Sequence, residues 1–143
     1  MRRRILLVDD DLAVLLTLKA VLELHGFEVE TTSSTPEAFA RLESATYHMV
    51  ISDLRMETED AGLEVIRAAR RQSYDPAVAL LTAYPPTGER RPSEDSESLL
   101  VKPLGTSDLV RQLEALLIRH ADQQEHRRRF ASDTAQQPLR RVV

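Results

Sequence analysis

Four short runs rich in apolar residues each end on a polar residue with chemistry to offer. Ile5–Val8 leads to Asp9, Tyr47–Ser52 to Asp53, Ala77–Leu81 to Thr82, and Leu99–Val101 to Lys102. Runs this short, with little or no apolar–polar alternation, suit strands buried on both faces, as in a parallel sheet with helices above and below. A further strand is expected at Phe27–Thr31. Parallel neighbours need long crossover connections, and the segments between the runs are long enough to supply them.

Those segments read as helices. From Asp11 to His25, Val14, Leu18, Val21 and Leu22 form one stripe, with Lys19 and Glu23 on a wet side, and Gly26 stops the helix. Thr35-Pro36 supplies an N-cap followed by proline at the first helical position, for a helix reaching about Ala45. Gly62–Arg71 is a short helix with Leu63, Ile66 and Arg70 at helical spacing, ended by Asp75-Pro76. The last helix starts at Thr106 or Ser107 and buries Leu109, Leu113, Leu116 and Leu117. Its pattern weakens after His120, and Pro138 stops it. Pro85–Ser98 breaks the alternation: with three prolines and no large apolar side chain, it reads as a loop or a disordered stretch. The fold class is therefore α/β, a doubly wound parallel sheet of five strands.

A chain of 143 residues leaves room for one folded domain and little more. It has no cysteine, which excludes disulfides, thiol catalysis and thiolate-held zinc. No stretch is long and apolar enough for a membrane span, and Asp9-Asp10-Asp11 ends the apolar run behind Arg2-Arg3-Arg4 too early for a signal peptide, so a cytoplasmic location is expected. The net charge of −4 divides unevenly: −7 up to Ile118 (13 basic, 20 acidic residues) and +3 from Arg119 onward (6 and 3). Neither nucleic acid nor membrane is an expected partner of so acidic a body. The expected division is a folded unit at 1–119 and a basic C-terminal extension at 120–143, partly helical and then disordered.

In open α/β sheets ligands bind beyond the carboxyl ends of the strands. Asp9, Asp10, Asp53, Thr82 and Lys102 all fall there. Taken singly, each has a plain explanation: a helix cap for Asp9–Asp11, a turn for Asp53, a satisfied hydroxyl for Thr82, a surface ammonium for Lys102. Their joint occurrence at four strand ends asks for more. Two carboxylates ~4 Å apart repel by about 4 kcal/mol at an effective dielectric near 20, so such a cluster takes up a proton or recruits a cation. Oxygen donors with room for water suit Mg²⁺ better than zinc.

With ILLVDDD around Asp9 and Asp10, VISDLRM around Asp53, LLTAY around Thr82 and LLVKP around Lys102, the chain resembles the receiver domains of two-component response regulators, the CheY-like family. The likeness spans about Met1 to Arg119. It implies a flavodoxin-like sheet in the order 2-1-3-4-5, with Asp53 as the phosphoacceptor. It also implies Mg²⁺ held by Asp10, Asp53 and the backbone carbonyl of Arg55, with Asp9 acting through water. Thr82 and Lys102 would contact the phosphoryl oxygens. The implied phosphodonor is a histidine kinase or a histidine phosphotransfer protein, and the domain is a phosphoacceptor rather than an enzyme. An anionic nucleophile meeting an anionic phosphoryl group needs such positive charge.

Departures from the family pattern fall away from these residues. Glu57 stands where receivers usually carry proline, and Glu57–Ala61 holds one extra residue before Gly62. Pro85–Ser98 is too polar for the family's fourth helix, which is read as degraded or missing, and Leu99 replaces the usual aromatic switch residue. The reading is a stand-alone receiver that signals by protein–protein interaction or onward phosphotransfer. Two alternatives compete: a receiver fold kept for phosphorylation-independent binding, and a haloacid-dehalogenase-like phosphohydrolase using Asp9-x-Asp11. The latter lacks its hydroxyl residue at Ala13 and an acidic pair after Lys102.

Overall fold

The computed structural model describes residues 2–82, 99–101 and 106–136. Its elements run β1 (Arg4–Val8), α1 (Leu12–Leu24), β2 (Glu28–Thr32), α2 (Thr35–Ser44), β3 (Met49–Asp53), α3 (Ala61–Arg70), β4 (Ala77–Thr82), β5 (Leu99–Val101) and α4 (Thr106–Gln136). The strands are parallel, in the order β2-β1-β3-β4-β5, with β5 joined to β4 through Leu80↔Leu99 to Thr82↔Val101. The α/β doubly wound class expected from the sequence is thus present. The stretch Pro85–Ser98, read above as lacking the fourth helix, lies outside the described residues.

The register explains why the inner strands β1, β3 and β4 are apolar at nearly every position. Ile5, Val29, Met49 and Ala77 form one row across β2-β1-β3-β4, and all four belong to one core cluster. The next row, Leu6, Val50 and Val78, points the other way into a second cluster. α1 and α4 cover the first cluster with Leu15, Leu22, Leu109, Leu113 and Leu117. α2 and α3 cover the second with Ala38, Leu42, Val65 and Ile66. Each buried leucine or isoleucine stabilises the fold by roughly 1.5–3 kcal/mol relative to exposure. A polar residue between Ile5 and Val8 would be stranded in one cluster or the other.

Helix ends show where local chemistry departs from the simplest expectation. Asp11 caps α1, accepting from the N–H groups of Ala13 (3.0 Å) and Val14 (3.3 Å). Gly26 follows with φ 90°, a conformation only glycine adopts without strain. The N-cap of α2 is Ser34 rather than Thr35: its hydroxyl accepts from the Glu37 N–H, and Pro36 falls one residue further into the helix than expected. Thr35 was the expected cap, but its own hydroxyl is donated elsewhere.

α4 carries helix into the segment expected to be partly helical. The apolar stripe fades after His120, yet the helix continues to Gln136 without a break across the 119/120 boundary. The part beyond Leu117 is held by polar contacts to a loop far away in sequence. His120, only 6 % exposed, and Gln124 both bond the Asp75 carbonyl oxygen (2.8 and 3.0 Å). Gln124 and Arg127 donate to its carboxylate (3.1 and 2.9 Å). Asp75 sits at φ 49°, which an aspartate tolerates better than most side chains. Arg127 is thus engaged at Asp75 and Arg129 pairs with Glu125, so two of the three arginines in the 127–129 run have intramolecular partners.

At the opposite sheet edge, Glu30 joins β1, β2 and the start of β3. One of its oxygens accepts from the Arg4 guanidinium and the other from the Tyr47 hydroxyl, while Arg4 lies 5.3 Å from the Tyr47 ring centroid. The Tyr47 hydrogen bond, helped by Arg4 and opposed by burial, holds the Glu30 carboxyl below its ordinary range. Burial and the Glu30 charge push the Tyr47 phenol up. A depressed carboxyl stabilises the fold above its unfolded pKa, near 4.3, and loses that contribution as pH falls through the folded value. Glu30→Gln is therefore expected to cost about 1 kcal/mol at pH 7. The difference from wild type should shrink as pH drops below about 4. Urea midpoints between pH 7 and 3 check this; a difference that stays constant over that range would refute it.

Candidate functional site

The carboxyl edge of the sheet is where the strands run out of apolar positions. Val8 pairs with Ser52, so Asp9 and Asp53 emerge level from adjacent strands. Asp53 in turn pairs with Leu81, which puts Thr82 one step further along β4. Asp9 is 0 % exposed, Asp10 is exposed, and Thr82 is 2 % exposed. Carboxylate oxygens of Asp9, Asp10 and Asp53 all lie within 4.8 Å of one another. Lys102 lies outside the described residues.

The acidic triplet divides its work. Asp11 is spent on capping α1, which satisfies the plain explanation for that residue and removes it from the cluster. Asp9 Oδ1 accepts from the Asp11 N–H (2.9 Å), and its own N–H donates to the Thr32 carbonyl (3.2 Å), so the turn after β1 is fixed at both ends. A phosphohydrolase needing both Asp9 and Asp11 for catalysis does not fit an Asp11 committed to a helix cap.

Three carboxylates this close repel in pairs by roughly 3–4 kcal/mol at an effective dielectric near 20. Asp9, wholly buried, cannot turn to bulk water, and Asp53 is only partly exposed. The cluster offers hard oxygen donors and no nitrogen or sulfur, which is the donor set Mg²⁺ prefers. The residues present therefore fit that ion.

The loop from Leu54 to Asp60 forms the next wall. The Leu54 N–H donates to the Leu81 carbonyl (3.0 Å), and the Gly62 N–H donates to the Leu54 carbonyl (2.9 Å). The Met56 N–H donates to the Thr58 carbonyl (3.1 Å), which closes a tight local turn. Gly62 marks the point of closest approach. A Cβ there would lie 2.1 Å from the Asp53 carbonyl oxygen and 2.7 Å from the Leu54 Cα. The sequence pattern singled out Gly62 only by its shifted position; the physical need for it is backbone against backbone.

Glu57 is the residue whose part sequence reasoning missed. Its two oxygens accept from the Thr35 N–H (2.8 Å) and hydroxyl (2.6 Å). Those bonds hold the Glu57 carboxyl below its usual range, the hydroxyl contributing most. No pattern within either segment signals this pairing across 22 residues.

Comparison with known proteins fits this geometry. The chain matches the response regulator receiver domain family over residues 5–114, and it belongs to that family. It is 34 % identical over 118 residues to the transcriptional regulatory protein PrrA of Mycobacterium leprae, covering 81 % of this chain and 50 % of that one. It is 31 % identical over 124 residues to the transcriptional regulatory protein BasR of Escherichia coli, covering 85 % and 55 %. The chain thus spans about half the length of these relatives. Among solved structures it resembles the response regulator TrrA of Thermotoga maritima in complex with Mg²⁺ and BeF. That likeness has a TM-score of 0.71 and 31 % identity, covering 81 % of this chain and 99 % of that one. It also resembles the chemotaxis response regulator CheY4 of Vibrio cholerae, with a TM-score of 0.71 and 27 % identity over 81 % and 99 %. No helix among the described residues is long and apolar enough to cross a membrane.

The close approach at Gly62 yields a direct expectation. Gly62→Ala must push α3 away from the end of β3, at a cost of about 2 kcal/mol, typical of overpacking. Urea unfolding measures it. A loss under about 0.5 kcal/mol would mean that the helix slides freely and the contact is incidental.

Proposed function

We propose that this receiver takes a phosphoryl group from a phosphohistidine on a histidine kinase or a histidine phosphotransfer protein, with Asp53 as the acceptor. A carboxylate oxygen of Asp53 forms the new bond to phosphorus as the phosphorus–nitrogen bond of the donor breaks, and the imidazole leaves with its proton. The observation that carries this reading is the convergence of Asp9, Asp10 and Asp53 within 4.8 Å at one edge of the sheet. Asp53 is the member at the end of the middle strand, level with Asp9 and beside Thr82.

Asp10, Asp53 and the backbone carbonyl of Arg55 would hold Mg²⁺, with Asp9 acting through water. The ion supplies positive charge that offsets the carboxylates and the incoming phosphoryl oxygens. The Thr82 hydroxyl donates to a phosphoryl oxygen, and the Lys102 ammonium pairs with another. Asp11 keeps α1 and the Asp9 turn in place. The modification adds a charge of about −2 beside existing acids, and the response passes to other proteins by surface contacts or onward phosphotransfer. In this reading the receiver unit is 1–119, the basic segment 120–143 is an extension of it, and the chain works in the cytoplasm as a phosphoacceptor rather than as an enzyme with turnover.

Asp53→Asn tests the assignment. It keeps the volume of the side chain and removes both the nucleophile and one of three mutually repelling charges. Acetyl phosphate with Mg²⁺ should leave a hydroxylamine-sensitive label on wild type and none on the variant. Without Mg²⁺, the variant should melt at a higher temperature than wild type, because two of the three repelling pairs are gone. Labelling of the variant would overturn the acceptor assignment. No labelling of wild type would favour a receiver fold used for binding alone.

A further inference from the structure

The Glu57–Thr35 bridge does more than α2 needs. In the first turn of that helix, the Glu37 N–H is bonded by the Ser34 hydroxyl, Pro36 has no N–H, and the Ala38 N–H donates to the Ser34 carbonyl. Glu37 reaches back past the cap to accept from the Ser33 N–H (3.3 Å). The Thr35 N–H is left for a partner outside the helix, and one acceptor satisfies it. Glu57 makes that bond and adds a second, from the Thr35 hydroxyl. Two bonds to one residue fix direction as well as distance. Thr35 is itself 8 % exposed, so the anchor is a packed part of the fold and not a loose surface group.

The segment anchored this way is the wall of the acidic cluster. Before Arg55, Leu54 is tied to Leu81 and to Gly62. After it, Met56 rests against the second core cluster, and Glu57 is clamped to α2. Arg55 therefore lies between two points fixed to different elements. Receivers usually have proline at the place of Glu57, a residue that limits backbone freedom by itself. Here a side-chain bridge restrains the same place.

We propose that Glu57 is a positioning residue for the phosphoacceptor site: gripping Thr35 at two points, it fixes the Arg55–Glu57 segment against Asp53 and so sets the site's affinity for a divalent cation. The proposal deepens the reading given above and rests on it. It also makes the start of α2 the element mechanically joined to the site. Groups that orient the residues holding a metal commonly change its affinity 10–100-fold when removed.

The test is Mg²⁺ binding by isothermal titration calorimetry, with and without BeF₃⁻, on wild type and five variants, Asp53→Asn among them. Unfolding in EDTA is followed in parallel, to confirm that each is folded at 25 °C. Glu57→Ala and Glu57→Gln lose the same charge, but the amide keeps the bridge: its oxygen accepts from the Thr35 N–H and its NH₂ donates to the hydroxyl oxygen. Glu57→Ala should weaken Mg²⁺ binding about tenfold, and Glu57→Gln by less than about threefold. Thr35→Val should follow the alanine variant, while Thr35→Ser should follow wild type. Equal weakening in Glu57→Ala and Glu57→Gln would show a long-range charge effect and overturn the proposal. So would unchanged Mg²⁺ affinity with only lower stability, since that is the mark of a helix cap. If wild type binds no Mg²⁺, or Asp53→Asn binds it as tightly, the phosphoacceptor reading fails and this proposal falls with it. Wild-type binding that needs Asp53 and ignores Glu57 overturns this proposal alone.

Discussion

The burial of β1 on all sides is the constraint on which the rest depends. The strand lies between β2 and β3, and α1 with α4 covers one face while α2 with α3 covers the other. Ile5, Leu6, Leu7 and Val8 are all fully buried, so no polar side chain is tolerated until the strand ends. The first residue past that limit is Asp9, itself wholly buried. Parallel register then does the rest, since strands running the same way end at the same edge. Carboxylates from β1 and β3 meet because, past Arg4 at the start of β1, the buried length of these strands admits no charge before their carboxyl ends.

That concentration of like charge costs the fold stability, and two neighbouring features hold the edge together against it. Gly62 lets α3 press its backbone onto the end of β3, and Glu57 ties the intervening loop to α2. Neither touches the acidic cluster through a charge of its own, and both restrict how far its wall can yield. A site that holds its acids rigidly cannot relieve their repulsion by moving them apart. It is left to do so by taking up positive charge, which is the response a phosphoacceptor requires.

The legible part of this architecture was written in apolar residues. Runs such as Ile5–Val8 and Ala77–Leu81 announce buried parallel strands, and the residues closing those runs announce the site. What escaped was written in polar contacts between distant segments. α4 continues past His120 because Asp75, 45 residues earlier, receives His120, Gln124 and Arg127, and no hydrophobic period records that. Ser34 displaces Thr35 as the α2 cap because the threonine is engaged by Glu57, a residue the sequence marked only as an oddity. Periodicity reports what faces a core. It is silent on which loops hydrogen-bond to which helix.

The Asp75 contact has a geometric consequence for α4. The helix has 31 residues, about 46 Å at 1.5 Å each. Its first half is seated on the sheet by leucines, and the stretch from His120 to Arg127 is pinned by a single aspartate. A rod held at two separated places neither swings nor spins. Because the pinning residues fall on one line of the helix, Asp75 sets the compass bearing of Arg128 to Phe130. Each residue turns the helix by about 100°, so the direction in which Arg128 and Phe130 point is fixed by the residue count from Leu117. One residue more or fewer in that interval would re-aim them by more than a quarter of a circle while leaving the receiver itself untouched.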